Sequence, residues 1–184
     1  MDGLEKMVDA ILVIDMLNGF LEPGHNLYCG DQAREIIPNI QNLIKDKLKN
    51  GDKIFFVCDN HEPNDLEFKM FPIHCVKGSE ETNIISELAS YANSENIILK
   101  RRYSALFETD LKQKLERLNP KKIILSGVCT DICVMHSASD FRNLDYEVEV
   151  PVDCVATFDQ EAHRYALTHM EKILGVTLTN SINR

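Results

Sequence analysis

The feature that most limits how this chain can fold is a repeated switch in hydrophobic period. Short apolar, β-rich runs occupy residues 10–14, 54–57, 97–99, 122–126, 146–150 and 176–178. Between them lie amphipathic stretches with helical spacing at about residues 32–48, 84–91, 110–118, 130–144 and 160–174. Strands that alternate with helices predict an α/β three-layer sandwich, a mostly parallel central sheet flanked by helices. At 184 residues the chain reads as a single domain over 1–184, since a domain takes roughly 150 residues. A chain of this size buries about 70% of its unfolded surface and needs neither a disulfide nor a metal to hold its core. Two irregular stretches, 15–31 and 59–79, are long for so compact a pattern, and long loops of that kind are often functional.

Charge and composition narrow the partners. Twenty Lys and Arg stand against twenty-nine Asp and Glu, a net charge of −9. The densest basic run is Lys100, Arg101 and Arg102, followed by Lys121 and Lys122. A phosphate backbone demands a broader basic surface, so no nucleic-acid partner is expected. No apolar run approaches the ~18–20 residues of a membrane span, so no membrane partner is expected either. The first six residues hold Asp2, Glu5 and only one Lys, which is not the basic start of a secretory signal. A cytoplasmic protein is the expectation, and a homo-oligomer is allowed. Cys29, Cys58, Cys75, Cys129, Cys133 and Cys154 are scattered through core-forming sequence, so reduced thiols are expected.

In open α/β sheets, ligands bind beyond the carboxyl ends of the strands. Asp15 follows the first apolar run, Asp59 and His61 the second, Lys100 the third, and Cys129 and Cys133 the fourth. Each has an ordinary reading alone. An Asp after a strand is more often a turn former, Lys100 sits beside two arginines, and most free cysteines are small buried hydrophobes. Together they make an activated nucleophile. Cys133 falls near the first turn of a helix opened by Thr130 or Asp131, where the helix terminus and Lys100 are expected to lower the thiol's pKa. Asp15 would accept its proton and Lys100 would give electrostatic support. Cys129, Cys133 and His136 also spell C-x3-C-x2-H, but Cys129 precedes the helix and no second cysteine pair matches, so a structural zinc site is not expected. The stronger metal candidate is Asp59-x-His61 with His74, and Glu62, Asp65 and Glu67 offer further carboxylates. Mixed His and carboxylate ligation suits Zn, Mn or Fe in an open site, while the ordinary alternative is that both histidines are plain loop residues.

Asp15, Lys100 and Cys133, in that order and with the last inside SGVCTDICV, resemble the triad of the isochorismatase-like cysteine hydrolases. The resemblance covers about residues 11–158. Within that superfamily, the loop with Asp59, His61 and the E-x-K-x-F-P-x-H run from Glu67 to His74 is similar to a bacterial nicotinamidase metal site, as is the stretch KRRYSALFETDL. The resemblance implies the isochorismatase-like fold and hydrolysis of nicotinamide, a small carboxamide, to nicotinate and ammonia for NAD salvage. It implies attack by Cys133 to form a thioester, with Asp15 moving the proton. Backbone N–H groups of Cys129 and Cys133 would form the oxyanion hole, with a cis peptide before Cys129. It further implies one divalent ion, zinc first and Mn or Fe next, held by Asp59, His61, Glu67 and His74 against the pyridine nitrogen. Phe20, Phe71 and Tyr103 would wall the ring, as aromatic faces suit a flat heterocycle. Two departures stand out: Cys129 replaces the Ala of many relatives, leaving open a disulfide or redox sensitivity, and Glu108 replaces a Gly. The rival readings are a metal-free amide or carbamoyl hydrolase of the same superfamily and a catalytically silent binding module, which would not need all three triad residues.

Overall fold

The structure, a computed structural model, describes residues 7–181. Seven strands form one sheet: β1 Ala10–Ile14, β2 Lys53–Asp59, β3 Ile97–Lys100, β4 Ile123–Val128, β5 Val148–Pro151, β6 Val155–Ala156 and β7 Thr177–Thr179. The order is β3-β2-β1-β4-β5-β7, with β6 beside β4, and every pairing is parallel. The central strands carry almost no polar side chain because both faces are covered. On β1, Ile11 and Val13 point into one core, while Ala10, Leu12 and Ile14 point into the other. Helix α3 (Ile37–Lys49) covers the first face with Ile40, Leu43 and Ile44. Helices α5 (Leu111–Leu118), α6 (Met135–Asn143) and α7 (Gln160–Lys172) cover the second with Leu111, Leu115, Phe141 and Met170. The expected three-layer sandwich is therefore present.

Several boundaries differ from the sequence reading, each for a local reason. The stretch 32–48 is not one helix but α2 (Asp31–Arg34) followed by α3, whose first turn holds Pro38. Proline suits a first turn and cannot continue a helix already under way. The stretch 84–91 yields only the single turn α4 (Ser86–Ala89), and α1 is another single turn, Asn18–Leu21. The stretch 130–144 opens as a π-turn, Thr130–Val134, in which Val134 N–H reaches Cys129 C=O at 3.1 Å. Such i→i+5 turns recur at functional sites. The two-residue β6 is too short to show any period in the sequence.

Strand order reverses between β1 and β4, and the crevice at such a switch point is where open α/β sheets bind ligands. Gly127 allows those two strands to close up. Its φ is +106°, and a Cβ there would lie 2.0 Å from the Ile14 carbonyl oxygen. Among the described residues, no helix is long and apolar enough to cross a membrane.

Candidate active site

Asp15 leaves β1 with φ +51°, so its carboxyl turns back over the sheet end. Its Oδ1 accepts the Asp59 N–H at 2.9 Å. Lys100 ends β3 in register with Asp59, and its Nζ is 2.8 Å from Asp15 Oδ2, in contact with Asp59 Oδ1, and 3.4 Å from Cys133 Sγ. The ammonium thus sits between two carboxylates and a thiol, 2% exposed. Burial alone would drive its proton off, but Asp15 and Asp59 hold its pKa well above the ordinary lysine value. Burial, then the neighbouring Asp59, pushes Asp15 up to about 6 against the pull of Lys100. Asp59 goes the other way: burial raises it, yet Lys100 and His61 outweigh that and bring it to about 2.

Cys133 lies in the first turn after β4, as expected, and its Sγ lies within 4.8 Å of a carboxylate oxygen of Asp15 and of Asp59. The expected depression of its pKa does not occur. Burial pushes the thiol well above its usual value, Lys100 pulls it down, and Asp15 and Asp59 push it up again. In a site this dry, loss of solvation outweighs both the helix terminus and the ammonium. The thiol therefore rests protonated beside a carboxylate able to receive its proton.

On the other side of Asp59, four side chains converge. His61 Nε2 lies 3.6 Å from Asp59 Oδ2 and 4.0 Å from Glu67 Oε1, and His74 Nε2 lies 3.9 Å from each of those oxygens. All four residues are buried. His61 Nδ1 faces Asp65 Oδ2 at 3.3 Å and His74 Nδ1 faces the Pro72 carbonyl at 2.8 Å. With each Nδ1 donating, both Nε2 lone pairs aim at one point, the arrangement that outer partners impose on metal-binding histidines. His61 Nε2 is buried without a hydrogen-bond partner, a costly state unless something occupies the space it faces. Ligands at about 2.1 Å from zinc would be about 3.0–3.4 Å apart, so a small contraction of this ring would complete a shell. The donor set fits a divalent ion. Glu62, by contrast, is exposed and pairs with Lys77 at 3.5 Å. Asp65 stands behind His61, where burial raises its pKa but Arg102, the Glu67 N–H and His61 together hold it well below the usual range.

Between the two clusters is a narrow cavity lined by Asp15, Cys133, Asp59, Glu67 and His74. Phe20, Phe71 and Tyr103 line it as expected, with Phe71 and Tyr103 edge-on at 6.4 Å. Leu27, Ile132 and Phe158 complete the wall. Sequence reasoning passed over all three: Leu27 and Phe158 are single apolar residues in loops and carry no periodic signal, and Ile132 sits in a turn whose lining face the sequence does not mark. The Val128–Cys129 peptide is cis, the geometry the resemblance implied. Cys129 Sγ is 3.6 Å from Cys29 Sγ, and no bridge joins any of the six cysteines. His136 turns its Nδ1 to the Ile132 carbonyl at 2.8 Å rather than toward a thiol. Glu108 adopts φ +55°, the left-handed conformation glycine takes most easily, and pairs with Arg101 at 2.6 Å, away from the cavity lining.

Comparison with known proteins adds the family. Residues 9–181 match the isochorismatase domain. A Bacillus subtilis (strain 168) isochorismatase family protein, PncA, is 36% identical over 178 residues, covering 92% of this chain and 97% of that protein. The crystal structure of a pyrazinamidase/nicotinamidase from Streptococcus mutans UA159 superposes with a TM-score of 0.87 at 36% identity, over 92% of this chain and 99% of that one. The pyrazinamidase of Pyrococcus horikoshii, solved in complex with zinc, gives a TM-score of 0.84 at 27% identity over 94% and 98% of the two chains.

Proposed function

This chain belongs to the isochorismatase family, and from that premise we propose that it is a nicotinamidase, hydrolysing nicotinamide to nicotinate and ammonia through a thioester on Cys133. The observation that carries the reading is the arrangement of one small cavity. A protonated thiol beside a carboxylate occupies one end, two histidines and two carboxylates occupy the other, and aromatic walls lie between.

The geometry supports the following roles. Asp15, ionised above about 6, takes the Cys133 proton as Sγ adds to the carboxamide carbon. Because the thiol rests protonated, transfer and attack belong to one step. Lys100 offsets the charge of Asp15 and Asp59 and stabilises sulfur as it becomes anionic. Backbone N–H groups of Cys129 and Cys133 would donate to the oxygen that gains charge. Protonated Asp15 then returns its proton to the leaving nitrogen and ammonia departs; Asp15 next deprotonates the water that adds to the thioester, the C–S bond breaks to release nicotinate, and Asp15 hands its proton back to the Cys133 sulfur. Asp59, His61, Glu67 and His74 would hold a divalent ion, zinc being the favoured one. When bound, such an ion supplies a Lewis acid for the ring nitrogen. Phe20, Phe71 and Tyr103 exclude water and hold the flat ring between them.

The test is ammonia release from nicotinamide by zinc-replete protein, before and after chelation. Turnover that falls on chelation and returns with metal supports the proposal. Release from other amides or carbamoyl compounds but not from nicotinamide, insensitive to chelation, would move the assignment to another hydrolase of the family. Silence toward every carboxamide would make it a binding protein.

A further inference from the structure

We infer that Asp65 is a positioning residue for the four-membered ligand cluster, orienting two of its members and tying them to the strand end that carries Lys100. The inference rests on the metal site proposed above. The Asp65 side chain is only 4% exposed, yet it does not face the point on which the ligand atoms converge. Its Oδ2 lies 3.3 Å from His61 Nδ1. Its Oδ1 accepts the Glu67 backbone N–H at 2.9 Å, capping the turn Leu66–Lys69, and Arg102 Nη1 at 2.7 Å.

Each contact has a consequence for the cluster. An imidazole has two nitrogens, and the partner of one decides whether the other offers a lone pair. With Asp65 accepting from Nδ1, His61 must present Nε2. Without it, the ring is free to rotate or change tautomer. Glu67 depends on Asp65 more indirectly. Its Oε2 has no hydrogen-bond partner and reaches Arg102 only at 3.8 Å, so no strong side-chain contact holds the carboxylate in place. What aims it is the backbone of the turn, which the Asp65 cap starts. Arg102 lies two residues beyond Lys100, so the Asp65–Arg102 pair fixes the spacing between the loop and the end of β3. His74 is independent of all this, since its Nδ1 is held by its own segment through the Pro72 carbonyl.

The experiment uses full-length protein stripped with a chelator, then titrated with zinc against a chromophoric competitor. Asp65→Ala should weaken zinc binding about 10–100-fold, the usual effect of removing an outer carboxylate. Asp65→Asn has one acceptor oxygen; turned to His61, it places its NH2 against the Glu67 N–H and Arg102 and loses both the cap and the ionic contact, so this variant should fall between Asp65→Ala and wild type. Glu62→Ala removes the same charge from the same loop and should stay within about threefold, separating orientation from net charge. Glu67→Ala serves as the benchmark for loss of a ligand itself. At saturating zinc and nicotinamide, kcat of Asp65→Asn should hold while KM rises, because the residues that act on the carboxamide are untouched. A purely structural role would lower the melting temperature of the metal-free protein and leave the zinc affinity of the folded fraction unchanged. If wild type binds zinc and both Asp65 variants bind it equally well, the inference is wrong and the metal site stands. If wild type binds no divalent ion, the metal site falls and takes the inference with it. Should Asp65→Ala fail to fold, the isosteric Asp65→Asn decides.

Discussion

Replacing Lys100 by methionine removes an ammonium and keeps most of the side chain's shape, which isolates the charge. In the native protein that ammonium is 2.8 Å from Asp15 Oδ2, touches Asp59, and is shielded from water. Its loss leaves two buried carboxylates facing each other. Breaking a buried ion pair by deleting one partner costs about 3–5 kcal/mol. In a chain of this length each kcal/mol lowers the melting temperature by about 2–4 °C, so a fall of about 6–20 °C follows. The penalty must depend on pH, and its sign can be worked out. Asp15 already titrates at about 6 instead of 3.8, so its folded state binds the proton more tightly than the unfolded chain and this contribution to stability is lost as pH rises through 6. Without Lys100 the folded value climbs further. Between about pH 6 and the variant's new value, the variant alone carries a proton at Asp15, and its stability falls by about 1.4 kcal/mol per pH unit relative to wild type. Urea denaturation of metal-free wild type and Lys100→Met at pH 5 and pH 8 measures this. The gap between the two proteins should be wider at pH 8. A gap of the same size at both pH values, or one below about 1 kcal/mol, would refute the view of Lys100 as a buried counter-ion.

Other consequences are more direct. Cys133→Ala should abolish turnover and leave the melting temperature nearly unchanged, whereas Cys129→Ala should be much milder. An active Cys133→Ala would end the thioester mechanism. The pH profile of kcat/KM should fall off on its acid side near 6, because a protonated Asp15 cannot receive the thiol proton, and Asp15→Asn should be inactive across the whole range. Gly127→Ala forces a Cβ to within 2.0 Å of a backbone oxygen at φ +106°. Overpacking and left-handed strain together should cost about 3 kcal/mol or more, visible as a large drop in melting temperature or in soluble yield.

How much of this was legible in the chain depends on what kind of signal each residue leaves. The sheet was legible because strands buried on both faces must be continuously apolar, and runs such as Ala10–Ile14 and Ile123–Val128 have no other way to be satisfied. The positions of Asp15, Asp59, Lys100 and Cys133 followed, since parallel strands deliver whatever comes after them to one edge. The breaks in helices were less visible: Pro38 marks the start of α3 only once the preceding turn is known, and the π-turn before α6 has no signature in residue type. The electrostatics were not legible at all. Composition says that Cys133 is near a lysine and a helix start, which argues for a thiolate, but the pKa of a thiol is set by how much water it has lost, and only the packed structure shows that nearly all of it is gone. The same holds for the carboxylates of the second loop. Glu62, Asp65 and Glu67 are chemically alike and lie within six residues of one another. Chain folding alone sends the first to solvent, places the second behind His61, and turns the third inward, because direction in a loop is a property of the backbone path rather than of the residues along it.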